Sequence, residues 1–251
     1  NYLYQNPFLL NNIFYKNYFT GGPSMITYIP ILLGFLCLGI LIYSTFLKST
    51  NFRLISKIFC SLCFLLISIT AYLNNPVNLT YFYLIFIGLL FSFLGDIFLG
   101  IKKSEPKFNY ILFMLGIISF SVTHIFYSIC FINLSTFHIR DIIFAIFLTF
   151  IIIASLKYNK KIDFRNLIIP CTVYGFLISF MVCKSISLIS LTSTNTLALS
   201  LIIVGTILFI ASDYLLSFVM FYKNCPKSIS RLNLLCYYVG QFLIALSILY
   251  I

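Results

Sequence analysis

Two aspartates stand deep inside apolar runs: Asp96 in Leu89-Leu-Phe-Ser-Phe-Leu-Gly-Asp-Ile-Phe-Leu99, and Asp213 in Leu208-Phe-Ile-Ala-Ser-Asp-Tyr-Leu-Leu216. A carboxylate near a bilayer centre costs about 2.5–3.5 kcal/mol, so an acid kept there calls for a functional explanation. Asparagine would serve as interhelical glue with less desolvation. An acid adds a proton that can be given and taken back. Burial favours the protonated form of a carboxyl, and two close carboxyls titrate as a pair in which the second ionises poorly. The chemistry on offer is proton chemistry, either general acid catalysis or a proton relay. The other three acids, Glu105, Asp141 and Asp163, fall at or between the ends of apolar runs, where water is expected to reach them.

Other polar side chains accompany the two aspartates at helical spacing, which sets groups three or four residues apart side by side. Ser92 lies one turn from Asp96. His124 lies one turn from Tyr127 and Ser128. Ser212 and Ser217 flank Asp213, and Tyr238 stands three residues before Gln241. The serines and Thr123 are read as hydrogen bonds between helices. His124, Tyr238 and Gln241 are open to either reading, glue or function.

These groups must be positioned by membrane-spanning elements. The 251 residues are 61% hydrophobic and 8% charged, and the mean hydropathy is +1.07. Those values exclude an ordinary soluble domain. Runs long enough to cross a bilayer occupy about residues 26–47, 54–73, 79–101, 108–133, 140–157, 166–184, 196–222 and 232–251. They must be helices, because a lone strand leaves its backbone unsatisfied in lipid. The expected fold is therefore all-α, a polytopic bundle of eight transmembrane helices over 26–251. Residues 1–25 form an N-terminal arm with no assigned function. That arm lacks the basic n-region of a signal peptide.

Charge orients the bundle. Connections 1–2, 3–4, 5–6 and 7–8, with their flanks, carry Lys48, Arg53, Lys57, Lys102, Lys103, Lys107, Lys157, Lys160, Lys161, Arg165, Lys223, Lys227 and Arg231. The opposite side carries only Lys16, Arg140 and Lys184. This bias places both termini on the non-cytoplasmic side. Counting 1.5 Å per residue from the basic face puts Asp96 about 8 Å deep, Asp213 and Gln241 about 15 Å, and His124 roughly 24 Å. The last value fits poorly with a single site.

The net charge of +11 sits in short loops and does not indicate nucleic acid. Seven of the eight cysteines lie within spans, and Cys60-Ser-Leu-Cys63 lacks a second pair, so these are read as small packing residues. Two histidines, His124 and His138, cannot build a histidine-rich zinc site. No metal is expected.

Four ordered stretches resemble the lysoplasmalogenase family, the YhhN-like multi-pass membrane hydrolases. They are Gly88 to Leu99 with Gly95-Asp96, Phe120-Ser-Val-Thr-His124-Ile-Phe-Tyr127, Gly205 to Leu216 with Ser212-Asp213, and Tyr237-Tyr238-Val-Gly-Gln241 through Ser247. Weaker echoes are Lys57, Pro170, Tyr174 and Met181, and the likeness covers about residues 50–250. The family often has alanine where this chain has Gly240, a difference expected to be harmless. The resemblance implies an integral membrane enzyme, in a plasma, inner or internal membrane, that needs no cofactor. It would cleave the vinyl ether of lysoplasmalogens, with a lysophospholipid and the bilayer as its partners. Asp96 and Asp213 would be catalytic. His124, Tyr127, Tyr238, Gln241 and Lys57 would bind substrate, with Lys57, Lys102 or Lys103 near the phosphate.

A vinyl ether is stable to base and labile to acid. Its slow step is protonation of the β-carbon, which gives an oxocarbenium ion. An acid paired with a carboxylate meets both needs, as in glycoside hydrolysis. Two other readings stay open. Buried acids and eight helices would suit a proton-coupled transporter, although no span shows paired glycine or proline breaks. Intramembrane aspartyl proteases also pair two aspartates, but Phe93 replaces their first motif glycine, and span 8 lacks their Pro-Ala-Leu.

Overall fold

Lipid offers the backbone no hydrogen-bond partner, so each apolar run closes its own bonds as a helix. The computed structural model describes residues 25–47, 49–164, 167–191, 195–222 and 224–251. Lys16, Lys48, Arg165, Lys223 and the N-terminal arm before Met25 lie outside them. Among the described residues eight α-helices follow in order: α1 Met25–Ser44, α2 Thr50–Asn74, α3 Leu79–Gly100, α4 Pro106–Leu134, α5 Ile139–Tyr158, α6 Ile168–Ser187, α7 Thr196–Phe221 and α8 Lys227–Ser247. Short 3-10 turns, Leu188–Ser190 and Ile248–Tyr250, extend α6 and α8. All eight helices are long and apolar enough to span a membrane. The all-α, eight-span expectation is borne out, with ends displaced by a few residues. The largest displacement is at α8, which starts at Lys227 rather than 232.

Polar residues mark the starts. Ser49 accepts from the Phe52 N–H at 3.3 Å, and Asn78 accepts from the Tyr81 N–H at 3.0 Å. Asn195 caps α7 through the Leu197 N–H at 2.9 Å. Each satisfies a backbone donor that the first helical turn leaves open. Pro106 opens α4, where its missing N–H costs nothing.

The helices pair as neighbouring hairpins, α1 with α2, α3 with α4, α5 with α6 and α7 with α8. The bundle closes around α8, which also packs on α1, α2 and α3. Against α7, the α8 backbone comes very close. A Cβ placed on Gly240 would lie 2.8 Å from the Gly205 carbonyl oxygen, and one on Gly205 would lie 2.9 Å from that of Gly240. Small residues permit such approaches in membrane bundles. At the other extreme, Ile143, Phe144, Phe147 and Phe150 of α5 face outward, each at least 60% exposed. That surface suits acyl chains and would be costly in water.

The four basic connections gather at one end. There Arg53 donates to Ser230 at 3.0 Å, Arg231 lies over the Phe46 ring, and Ile162 pairs with Tyr222 in an isolated antiparallel bridge. The opposite end corrects one expectation. Asp141 is not reached by water but is 3% exposed. Lys184, fully buried, reaches it at 3.3 Å and also donates to the Thr136 carbonyl. The run boundary said nothing of the lysine that α6 folds over it.

Candidate active site

Asp96 comes from the last turns of α3 and is 2% exposed. Lys57 of α2 places its ammonium 2.9 Å from Oδ1 and 3.4 Å from the Asp96 carbonyl oxygen. On Oδ2, the hydroxyls of Ser61, Tyr237 and Tyr238 donate at 2.6, 2.9 and 3.3 Å. A cation and three hydroxyl donors are what a buried carboxylate needs to remain charged. Lys57 therefore faces Asp96, and Arg53, one turn away, is engaged with Ser230. Lys102, outside the spans, is held below the ordinary lysine range by partial burial and then by the charges of Arg53 and Lys57.

Asp213 lies in a different setting. Its side chain is 11% exposed. The Tyr174 hydroxyl of α6 donates to Oδ2, the Ser212 hydroxyl approaches Oδ1 at 3.4 Å, and His124 Nε2 stands 3.8 Å from Oδ2. His124 Nε2 and the Tyr174 oxygen are 3.1 Å apart. Because Tyr174 donates to the carboxyl, its oxygen accepts from His124, which puts the imidazole proton on Nε2. The buried Nδ1 then has no hydrogen-bond partner among the described residues. Tyr174 was a weak echo in the sequence and proves to be the closest side-chain neighbour of the deeper acid.

The two carboxyls occupy adjoining clusters. Between them stand Phe120, Phe209 and Tyr237, packed edge to face with ring centroids 5.4–6.2 Å apart. Tyr237 bonds Asp96 through its hydroxyl and packs its ring on Phe209, whose other neighbour is His124 at 4.8 Å. Gly95 makes the wall possible, since a Cβ there would sit 2.7 Å from the Phe120 ring.

His124 reaches Asp213 despite its counted depth. Helix α4 has 29 residues, about 43 Å of helix against a hydrocarbon core of about 30 Å. Counting inward from its start overstates depth, because the helix exceeds the bilayer. Tyr127 and Gln241 join a third, closed network. The Tyr127 hydroxyl donates to Gln241 Oε1 at 2.9 Å, and Gln241 Nε2 donates to Ser92 at 2.8 Å. Ser92 and Thr123 meet at 3.1 Å. All four residues are fully buried, and both ends of the Gln241 amide are used.

A narrow apolar cleft of about 70 Å³ runs between α4, α5, α6 and α7 and touches Asp213 and Tyr174. Its walls include Phe113, Ile153, Ile178 and Ile210. Asp96 is not among its lining residues. No group of three or more histidine, cysteine or acidic side chains is placed to hold a metal among the described residues.

Fold and site together define a multi-pass helical membrane protein with two buried acids in unlike settings, one of them opening on an apolar cleft. The chain matches the YhhN family over residues 52–248 and belongs to it. This is the family of lysoplasmalogenase-like proteins. No curated protein and no solved structure matches the chain.

Proposed function

We propose that this protein is a membrane hydrolase that cleaves the vinyl ether of lysoplasmalogens, with Asp213 as the acid and Asp96 as the permanent anion. The observation that carries the assignment is the contrast between the two carboxyls. Lys57 balances Asp96, whereas Asp213 meets only hydroxyls and a buried imidazole at the edge of an apolar cleft. Family membership supports the reaction class.

Tyr174 donates to Oδ2, so the acid carries its proton on Oδ1, where its one neighbour among the described hydrogen-bonding groups is the Ser212 hydroxyl at 3.4 Å. That proton passes to the β-carbon as the enol ether π bond opens, giving an oxocarbenium ion. The Asp213 carboxylate so formed lies beside the new cation. Asp96 adds its field from behind the aromatic wall, reduced by Lys57. Water attacks the cationic carbon and returns a proton to Asp213. The hemiacetal then breaks its bond to the glycerol oxygen, which takes up the hydroxyl proton. The products are a fatty aldehyde and the glycerophospho-alcohol. The apolar walls strengthen the attraction between the ion and the carboxylate beside it.

Purified protein mixed with a defined lysoplasmalogen is expected to release aldehyde. Asp213→Asn should lower that rate by at least 10²–10⁴, the range for a general acid, while the protein stays folded. Asp96→Asn should also lower it. Full activity in both variants would end the assignment. Solute uptake driven by a pH gradient, with no aldehyde formed, would point to a transporter.

A further inference from the structure

Phe113, Met220 and Phe221 line two spaces at once. One is the cleft that touches Asp213. The other is a wide hollow of about 1180 Å³ at the basic end, whose wall carries Lys160, Lys161 and Asp163. We propose that this hollow seats the headgroup of a single-chain phospholipid, its phosphate on Lys160 and Lys161 and its tail running through the cleft past Asp213. The assignment rests on reading the Asp213 cleft as the reaction site.

The loop that bears the lysines is fixed to the helix that bears the acid. The Asp163 N–H donates to the Phe221 carbonyl at 3.1 Å, and Ile162 pairs with Tyr222. Lys161 Nζ lies over the Tyr222 ring, 5.8 Å from its centroid, and the Lys161 N–H bonds Asn159 at 3.1 Å. The loop that carries both cations is thus tied to the end of α7. Both are exposed, as a site filled from the membrane surface requires. The cations nearer Asp96 are differently placed, with Lys57 held by the carboxylate and Arg53 by Ser230.

The length from acid to phosphate agrees. Asp213 lies eight residues before Phe221, about 12 Å along the helix. Seven bonds separate the β-carbon of a vinyl ether from the phosphorus of its lysophospholipid, roughly 9 Å when extended. Side-chain reach covers the difference. Beyond Asp213 the cleft continues between Tyr174, Gly175, Ile178 and Ile210, with apolar walls that suit a tail. Asp163 on the same wall keeps the hollow from being uniformly positive, which is compatible with a zwitterionic headgroup.

Binding can be read without chemistry by using a 1-O-alkyl lysophosphatidylethanolamine, whose saturated ether is not cleaved, beside the matching 1-O-alkylglycerol. In Lys160→Ala/Lys161→Ala, affinity of the intact protein for the phospholipid should fall about tenfold, as expected on losing a charge-assisted contact. Affinity for the alkylglycerol should not change, and Lys227→Ala, at another exposed cation of the basic end, should alter neither. Lys160→Gln/Lys161→Gln gives the same comparison if alanine disturbs the loop. Equal loss for both lipids, or no loss, overturns the proposal. So does binding of inorganic phosphate as tight as that of the lipid, which would mark a free-phosphate site. Lysine-dependent lipid binding without aldehyde release would sink the proposed reaction and leave this site standing. Aldehyde release without lysine dependence would do the reverse.

Discussion

Lys57 and Asp96 form a couple that can be removed together or broken. Their side chains are 13% and 2% exposed. Lys57→Met should cost about 3–5 kcal/mol, because it strands a buried carboxylate. Lys57→Met/Asp96→Asn should recover most of that loss in thermal unfolding in detergent. Activity then separates the roles of Asp96. A folded but inactive double variant shows that its charge serves the reaction, and a fully active one shows that the couple only holds α2 to α3. The two aspartates were legible because an acid in an apolar run is rare and costly. Ser61, the closest donor to Asp96, was not legible, because a serine in a membrane helix has the same pattern whether it bonds its own backbone or a catalytic neighbour. The sequence places Lys57 near the basic face, but its direction depends on how α2 packs against α3. The resemblance turns Tyr127 and Gln241 toward substrate, whereas the structure satisfies them with each other and Ser92.

Among the elements, the α7–α8 crossing bears most directly on the site. It carries Asp213 on one side and Tyr237, Tyr238 and Gln241 on the other. The backbones meet at Gly205 and Gly240. Gly240→Ala sets a methyl group 2.8 Å from a carbonyl oxygen that cannot swing away. The helices must part, at a cost of about 1–3 kcal/mol by the usual scale of overpacking. A lowered unfolding temperature with reduced aldehyde release is the expected result, and an unchanged protein would show that the crossing is looser than the structure has it. From sequence alone, Gly240 was a harmless departure from a frequent alanine, since no single span reveals how near its neighbour comes. Span positions could be read because bilayer thickness fixes a minimum length. Depth was less secure for α4, since excess length can sit on either side of the membrane.

For the whole molecule, the eight apolar runs set the helix count, the alternation of basic and non-basic connections agrees with it, and the structure returns all eight helices. It also gathers Arg53, Lys102, Arg231 and the 159–163 loop at one end. What the alternation could not reveal is how the exceptional charges at the other end are housed. Lys184, on the less basic side, is fully buried and joined to Asp141 and the Thr136 carbonyl, so it fastens together the ends of α4, α5 and α6. Lys184→Met should destabilise the bundle by about 3–5 kcal/mol, seen as a lower unfolding temperature. Lys184→Met/Asp141→Asn should regain part of that loss. If the single variant melts like the parent, the pair contributes nothing.

That pair also bears on how the chain enters its membrane. Helices α5 and α6 are consecutive, and Asp141 and Lys184 stand at the same end of the hairpin they form. On a lone α6, Lys184 is an uncompensated ion, costly in lipid at about 2.5–3.5 kcal/mol on the insertion scale. Beside α5 it meets Asp141, so this stretch favours entering two helices at a time.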